Sequence, residues 1–196
     1  MPDIKYSDYG ETIINLLHRY DCKKLLDIGC GRDGVSLEAS KFCDVTGLDI
    51  SETALETMRE AVPNVKYVDG DCRSLPFPDG SFDMVVASEI IEHLTKEDGE
   101  KLLTEAKRVL QPGGKLIIST PIRKNPLIQL YTRIVFIIFN PHGKWEHIHE
   151  YKIFELFEKM IKHFNIIYFS RITPIKIFHG IINIGERRQI MIGEKQ

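Results

Sequence analysis

Apolar and polar positions along the chain alternate between two periods. Runs of strand type lie at 23–28, 44–50, 64–72, 82–87 and 115–121, and each is followed or preceded by apolar residues at helical spacing. Residues 9–20 carry Ile13, Ile14, Leu16, Leu17 and Tyr20 on one helical face. Helices are also predicted over 35–42 and over 52–61, the latter begun by Ser51 and stopped by Pro63. Over 96–110, Leu102, Leu103, Ala106, Val109 and Leu110 share a face opposite charged residues, and 111–114 (Gln-Pro-Gly-Gly) read as the turn that ends that helix. Beyond Pro121 the pattern gives an apolar helix at 125–140, a helix at 153–163, strands at 165–170 and 187–192, and an apolar connector at 174–185. Strands alternating with helices predict an α/β fold, a Rossmann-like doubly wound parallel sheet in three α/β/α layers.

Length adds that 1–196 is one domain with room for a sizeable core. With 26 Lys and Arg against 28 Asp and Glu, the net charge of −2 excludes a general polyanion binder, so DNA is not an expected partner and RNA is disfavoured. Cys22, Cys30, Cys43 and Cys72 form neither a C-x-x-C pair nor a zinc-type spacing, so free thiols are the expectation. Residues 1–20 lack the apolar stretch and small-residue site of a secretion signal, which leads to a cytoplasmic expectation. The run 127–139 is interrupted by Gln129, Thr132 and Arg133 and falls short of the ~20 residues of a bilayer span; peripheral membrane contact through 125–140 is the most it predicts.

The stretch around which the rest is arranged is Leu25-Leu26-Asp27-Ile28-Gly29-Cys30-Gly31-Arg32-Asp33-Gly34. A strand running into Gly-x-Gly-x-x-Gly and then a helix is a cofactor cradle, because glycines allow a sharp turn and close approach of a ligand to the backbone. Asp27 narrows the ligand. A dinucleotide's diphosphate would be repelled by a carboxylate at that turn, whereas an ammonium group would be attracted. Asp49, about 20 residues past the start of the loop, stands where doubly wound folds place an acceptor for both ribose hydroxyls; its alternative is a cap for the following helix, a task Ser51 can already fill.

Asp27-Ile28-Gly29-Cys30-Gly31 resembles the first motif of class I S-adenosylmethionine-dependent methyltransferases, of the type that includes ubiquinone-biosynthesis enzymes, and Val109-Leu110-x-Pro112-Gly113-Gly114-x-Leu116 resembles a later motif of the same family. The resemblance is specific over 23–120 and general beyond. It implies a seven-stranded sheet whose C-terminal strand is antiparallel, S-adenosylmethionine as cofactor with S-adenosylhomocysteine as product, and cofactor contacts at Asp27, Gly29, Cys30, Gly31, Asp49, Ile50, Asp71, Cys72, Ser88 and Glu89. In that assignment Asp71 accepts from the adenine amino group, Cys72 offers its backbone N–H to the ring, and Ser88 and Glu89 border the methyl group. The alternative for Asp71 is a turn former before the Pro-rich segment 75–80. It further implies an N-terminal helical cap over 1–22, with Tyr6 or Tyr9 near the cofactor, and a substrate lid inserted at 121–150.

Methyl transfer from a sulfonium needs a dry, positioning pocket and no covalent side-chain nucleophile. Where the acceptor must lose a proton, His147, His149 and His93 are the candidate bases, each also readable as a structural histidine. Glu89-x-x-Glu92-His93 with His147 could instead hold a divalent cation for O-methylation; the same string also serves as a helix cap in metal-free relatives. The apolar 125–140 segment with Arg123, Lys124, Arg133 and Lys144 points to a small or amphipathic acceptor handled by a monomer or weak homodimer. Two readings of other classes stay open: a non-catalytic S-adenosylmethionine-binding module, and an NAD-dependent dehydrogenase using the same glycine loop.

Overall fold

In the computed structural model the described residues are 8–31, 34–121, 155–172, 175–178, 181–184 and 188–196. In chain order they form α1 (Asp8–Arg19), β1 (Lys24–Ile28), α2 (Val35–Ala39), β2 (Asp44–Asp49), α3 (Glu52–Ala61), β3 (Lys66–Asp69), β4 (Phe82–Ser88), a 3-10 turn (Ile91–His93), α4 (Lys96–Val109), β5 (Leu110–Pro121), α5 (Glu155–His163), β6 (Asn165–Ile172), β7 (Ile175–Phe178), β8 (Ile181–Ile184) and β9 (Arg188–Glu194). The main sheet has seven strands in the order β3-β2-β1-β4-β5-β9-β6. Its first five strands are parallel, and β9 runs antiparallel between β5 and β6.

The apolar periodicities account for the layers. Ile13 and Leu17 of α1, Val35 of α2, and Leu55 and Met58 of α3 are buried on one face of the sheet against Leu25, Val86 and Ile117. Leu102, Leu103 and Ala106 of α4 and Leu156 and Met160 of α5 are buried on the other against Leu26, Val85 and Leu116. Each such side chain contributes about 1.5–3 kcal/mol by leaving water, so the core rather than helix propensity holds the short helices in place. The five-residue α2 would not persist alone.

Charge ties the elements at the sheet's margins. Asp83 at the start of β4 accepts the backbone N–H groups of Lys23 and Lys24 at 3.0 and 3.1 Å, fixing the entry to β1. Glu100 of α4 accepts from Lys159 and from His163 Nε2 of α5, the latter at 3.0 Å.

Three local expectations are corrected. The connector 174–185 contains the β7–β8 hairpin, a separate two-stranded sheet in which Phe178 pairs with Ile181. The β-branched runs Ile-Lys-Ile-Phe and Ile-Ile-Asn-Ile on either side of His-Gly carry that signal, which a reading for apolar content alone passes over. Gln111 to Gly114 do not separate helix from strand; they lie inside β5, where the register with β4 shifts between Phe82 and Met84. Gly113 takes φ +76° there, and a Cβ on Gly114 would stand 2.8 Å from the carbonyl of Gln111 and 3.0 Å from that of Asp83. The helix expected over 35–42 ends at Ala39. The apolar segment 125–140, His147, His149 and Tyr6 lie outside the described residues. Among the described residues no helix is long and apolar enough to cross a membrane.

The chain leaves β1 toward β2 and β3 on one side and returns to β4 and β5 on the other. This reversal between β1 and β4 opens a crevice beyond the carboxyl ends of the strands, where such sheets bind ligands.

Candidate functional site

A cleft of about 920 Å³ occupies that position. It lies within the range of small-molecule sites. It is lined by Gly29 and Gly31 from the loop after β1, by Asp49 at the end of β2 and Ile50 just beyond it, by Asp71, Cys72 and Arg73 from the segment after β3, and by Glu89 and His93 from the segment after β4.

The glycine loop turns on positive φ values at Gly29 (+69°) and Gly31 (+34°). A Cβ on Gly29 would come within 2.7 Å of Ile90 Cδ1, so both conformation and space call for glycine there. The destination of the loop's N–H groups decides what it can bind. Gly29 and Cys30 donate to the Leu48 carbonyl at 2.7 and 3.1 Å, and Gly31 donates to Asp49 Oδ2 at 2.9 Å. A phosphate cradle needs such donors pointed at the ligand. Here all three are used within the protein, beside a wall that carries the acceptors of Asp49, Asp71 and Glu89.

Asp49 is held as an acceptor: Oδ2 receives Gly31 N–H and Oδ1 receives Ser51 N–H at 2.9 Å. Ser51 caps α3 by accepting from Ala54 N–H at 3.4 Å, so Asp49 is spared that duty. Next to it Ile50, 72% exposed, is among the residues that line the cleft, an apolar side chain beside polar ones. Such exposure of a large aliphatic side chain suits the face of a planar ligand ring.

Asp71 is engaged by Arg73. Its Oδ1 accepts from Arg73 N at 2.8 Å and Nε at 2.9 Å, its Oδ2 from Nη2 at 2.5 Å, and Arg73 Nη1 reaches Asp98 of α4 at 3.4 Å. The guanidinium beside it holds the Asp71 carboxyl below its ordinary value. Burial, helped by the Asp71 charge, pushes the Cys72 thiol up to about 11, so that side chain is neutral packing. Arg73 was not singled out from sequence, although the Asp-x-Arg spacing is local enough to have been read.

Asp27 is placed behind the loop, 1% exposed, with its Oδ2 accepting from Ser36 Oγ at 2.6 Å. It is not among the residues that line the cleft. Cys30 is likewise buried; its Sγ and the Tyr67 ring fill the space above Gly47, where a Cβ would come within 2.9 and 2.8 Å of them. Ser88, 5% exposed, shares a hydrogen bond of 3.1 Å with Ser119 Oγ and does not reach the cleft. Ser119 Oγ donates to Glu89 Oε1 at 2.9 Å while its carbonyl accepts Glu89 N–H at 3.1 Å. Glu89 thus sits at the cleft with φ +53°, an unusual conformation for a residue with a side chain.

The proposed metal set is divided. Glu89 and His93 line the cleft, but Glu92 is 1% exposed and its Oε2 accepts from Thr120 Oγ1 at 3.0 Å. Among the described residues no group of three or more His, Cys, Asp or Glu is placed to hold a metal ion. His93 is the one candidate base within the described residues.

Comparison with known proteins adds a family to this geometry. A family model described as a methyltransferase domain matches residues 26–118. A probable S-adenosylmethionine-dependent methyltransferase of Mycolicibacterium smegmatis is 39% identical over 109 residues, 55% of this chain and 42% of that protein. A ubiquinone/menaquinone biosynthesis C-methyltransferase of Haemophilus ducreyi is 36% identical over 134 residues, 62% of this chain and 51% of that protein. The chain thus spans about half or less of the length of these relatives. Among solved structures, an S-adenosylmethionine-dependent methyltransferase of Methanosarcina mazei superposes with a TM-score of 0.73 at 25% identity, covering 92% of this chain and 96% of that one. The segment 26–118, which runs from β1 into β5 and holds the cleft, is thus similar to the methyltransferase-domain family and to S-adenosylmethionine-dependent methyltransferases.

Proposed function

We propose that the protein transfers a methyl group from S-adenosylmethionine to a small or amphipathic acceptor. The observation that carries this reading is the fate of the loop's donors: the N–H groups of Gly29, Cys30 and Gly31 are consumed by Leu48 and Asp49, beside a wall bearing Asp49, Asp71 and Glu89. That arrangement repels a diphosphate and favours a cationic adenosyl ligand, which speaks against a nicotinamide dinucleotide.

When bound, the cofactor supplies an electrophilic methyl carbon on a charged sulfur. The chain's part is binding, orientation and proton handling. Asp49 accepts from the two ribose hydroxyls, Ile50 covers one face of the adenine, and Asp71 with the Cys72 backbone reads its edge. Asp27 contributes negative potential from behind the loop toward the amino-acid ammonium group. Glu89, fixed by Ser119, borders the reacting methyl, and His93 takes a proton at its ring nitrogen where the acceptor must lose one. The remaining assignments belong to the same proposal: 1–196 as one domain, 1–22 as a cap, and 121–150 as a lid that selects the acceptor, with His147 and His149 as further bases. The relatives' names include sterol and quinone methyltransferases, which supports a lipid-like or quinone-like acceptor.

Equilibrium binding followed by an acceptor screen tests the reading. Micromolar affinity for S-adenosylhomocysteine, no binding of NAD, and transfer of labelled methyl to a sterol-like or quinol-like compound are expected. Binding of NAD without S-adenosylhomocysteine overturns the cofactor; binding without transfer to any acceptor leaves a sensor or partner module.

A further inference from the structure

One carboxylate of the cleft has its acceptor positions taken before any ligand arrives. Asp71 Oδ1 receives Arg73 N–H at 2.8 Å and Nε at 2.9 Å, and its Oδ2 receives Nε at 2.9 Å and Nη2 at 2.5 Å. A carboxylate offers about four lone-pair directions, so a further donor must displace one of these. The contacts differ in kind. The backbone N–H of residue 73 reaches the acid two positions before it whatever its own side chain, and so orients Asp71 independently of the guanidinium. The others belong to one guanidinium that is itself part of the cleft wall.

That guanidinium has a second anion within reach. Its Nη1 stands 3.4 Å from Asp98 Oδ2, longer than the usual about 2.7–3.2 Å, so this contact is present but slack. Asp98 also lines the cleft, from the first turn of α4. It is held there by its own N–H on Thr95 Oγ1 and by Lys101 Nζ on its Oδ1, each at 3.1 Å. The Arg73 fork holds the Asp71 carboxyl below its ordinary value and the Lys101 ammonium does the same for Asp98, so two anions share one guanidinium at neutral pH.

We propose that Arg73 competes with the adenine amino group for Asp71 and passes to Asp98 when the cofactor binds, so that Arg73 sets how tightly cofactor and product are held. The inference rests on the reading of Asp71 as the acceptor of that amino group. The amino hydrogen takes an Asp71 oxygen, the guanidinium releases it and closes the remaining distance to Asp98, and the backbone N–H of residue 73 keeps Asp71 in place. One anion replaces another, so the guanidinium keeps a charged partner; what is given up is the two-pronged geometry of the fork. Cofactor and product carry the same adenosyl group, so the competition weakens both alike and eases exchange of one for the other.

Titration calorimetry on the full chain tests this with S-adenosylhomocysteine and with its analogue bearing purine in place of adenine, which lacks the 6-amino group. Arg73→Met keeps a long side chain and the backbone N–H and removes the competitor. It is expected to bind S-adenosylhomocysteine about three- to tenfold more tightly, a part of one charge-assisted hydrogen bond, while affinity for the purine analogue changes by less than about twofold. Arg73→Lys, a point charge that cannot fork, should fall between wild type and Arg73→Met. Asp98→Asn, which weakens the second anion site, should loosen S-adenosylhomocysteine about threefold in the wild-type background and have no effect in the Arg73→Met background. If Arg73 only supported the segment after β3, Arg73→Met would weaken both ligands together and Asp98→Asn would act equally in both backgrounds. That pattern, or a ratio of the two affinities that is unchanged or reversed in both Arg73 variants, overturns the proposal. A wild type that binds neither ligand overturns the reading of the cleft as a cofactor site, and this inference with it.

Discussion

Gly31 donates its backbone N–H to Asp49 Oδ2 at 2.9 Å, so the turn that ends β1 and the acid that ends β2 form one unit. The acid is oriented before any ligand arrives, and the turn has one donor fewer to offer an anion. Replacing Asp49 by Ala removes this orientation together with the proposed ribose acceptor. Hydrogen bonds to a charged group contribute about 1.5–3 kcal/mol each, so the affinity for S-adenosylhomocysteine should fall ~10- to 100-fold or more. Titration calorimetry reads this directly. Unchanged affinity removes Asp49 from the site and with it the reading of the cleft.

Gly29 should tolerate no side chain. A Cβ there meets Ile90 Cδ1 at 2.7 Å and the residue sits at φ +69°, a conformation costing an L-residue about 1–2 kcal/mol. Gly29→Ala is expected to lower the unfolding free energy by about 2 kcal/mol or more and to weaken cofactor binding by displacing Ile90 at the cleft. Adding Ile90→Ala relieves the contact but leaves the strained φ, so denaturant titration should show only partial recovery of stability.

Arg108 of α4 fastens the segment between β3 and β4. It donates to the carbonyls of Leu75 and Phe77 at 2.9 and 2.7 Å and to Glu105 and Asp79 at 2.8 Å each. The guanidinium beside it holds the Glu105 carboxyl below its ordinary value of 4.5. A group whose folded pKa is depressed adds stability above its unfolded pKa, and that stability is lost as pH falls through the folded value. Glu105→Gln should therefore cost stability at pH 7 and progressively less below about pH 4.5, so the two proteins' curves converge on acidification. Urea unfolding between pH 7 and pH 3 checks the sign; a gap that widens on acidification contradicts it.

These bonds mark where sequence stops being informative. The loop 29–34, the acid at Asp49 and the alternation of strands and helices are legible because each is set by a local period or by the backbone needs of one turn. The grip of Arg108 on Leu75, and of Ser119 on Glu89, join residues about thirty positions apart through side chains whose types are common on any surface. Nothing local distinguishes them. Asp27 and Ser88 illustrate the converse: their place at strand ends was readable, but whether a strand-end side chain faces the cleft or lies behind the loop depends on the path of the neighbouring segment.

Excess EDTA should leave methyl transfer intact. Glu89 and His93 share the cleft, but Glu92 is buried on Thr120, and a cation would have to draw it out at the expense of that hydrogen bond. Turnover measured before and after chelation decides; activity lost to EDTA and restored by a divalent cation would bring the metal-assisted route forward.

Ser119→Ala isolates the residue closest to the reacting groups in the proposal. Glu89 holds φ +53°, a conformation that surrounding contacts must maintain. Ser119 maintains it twice, through its carbonyl on Glu89 N–H and its hydroxyl on Glu89 Oε1. The alanine variant keeps the first contact and loses the second, so the backbone stays in place while the carboxylate is freed to rotate. Cofactor affinity, governed by Asp49 and Ile50 on the far side of the cleft, should stay within about threefold, whereas the single-turnover rate should fall about tenfold through lost positioning. Ser119→Thr, which keeps the hydroxyl, should restore much of that rate. Equal losses in binding and rate would instead mean that Ser119 supports the whole cleft, and no loss in either would place Glu89 away from the transferred methyl.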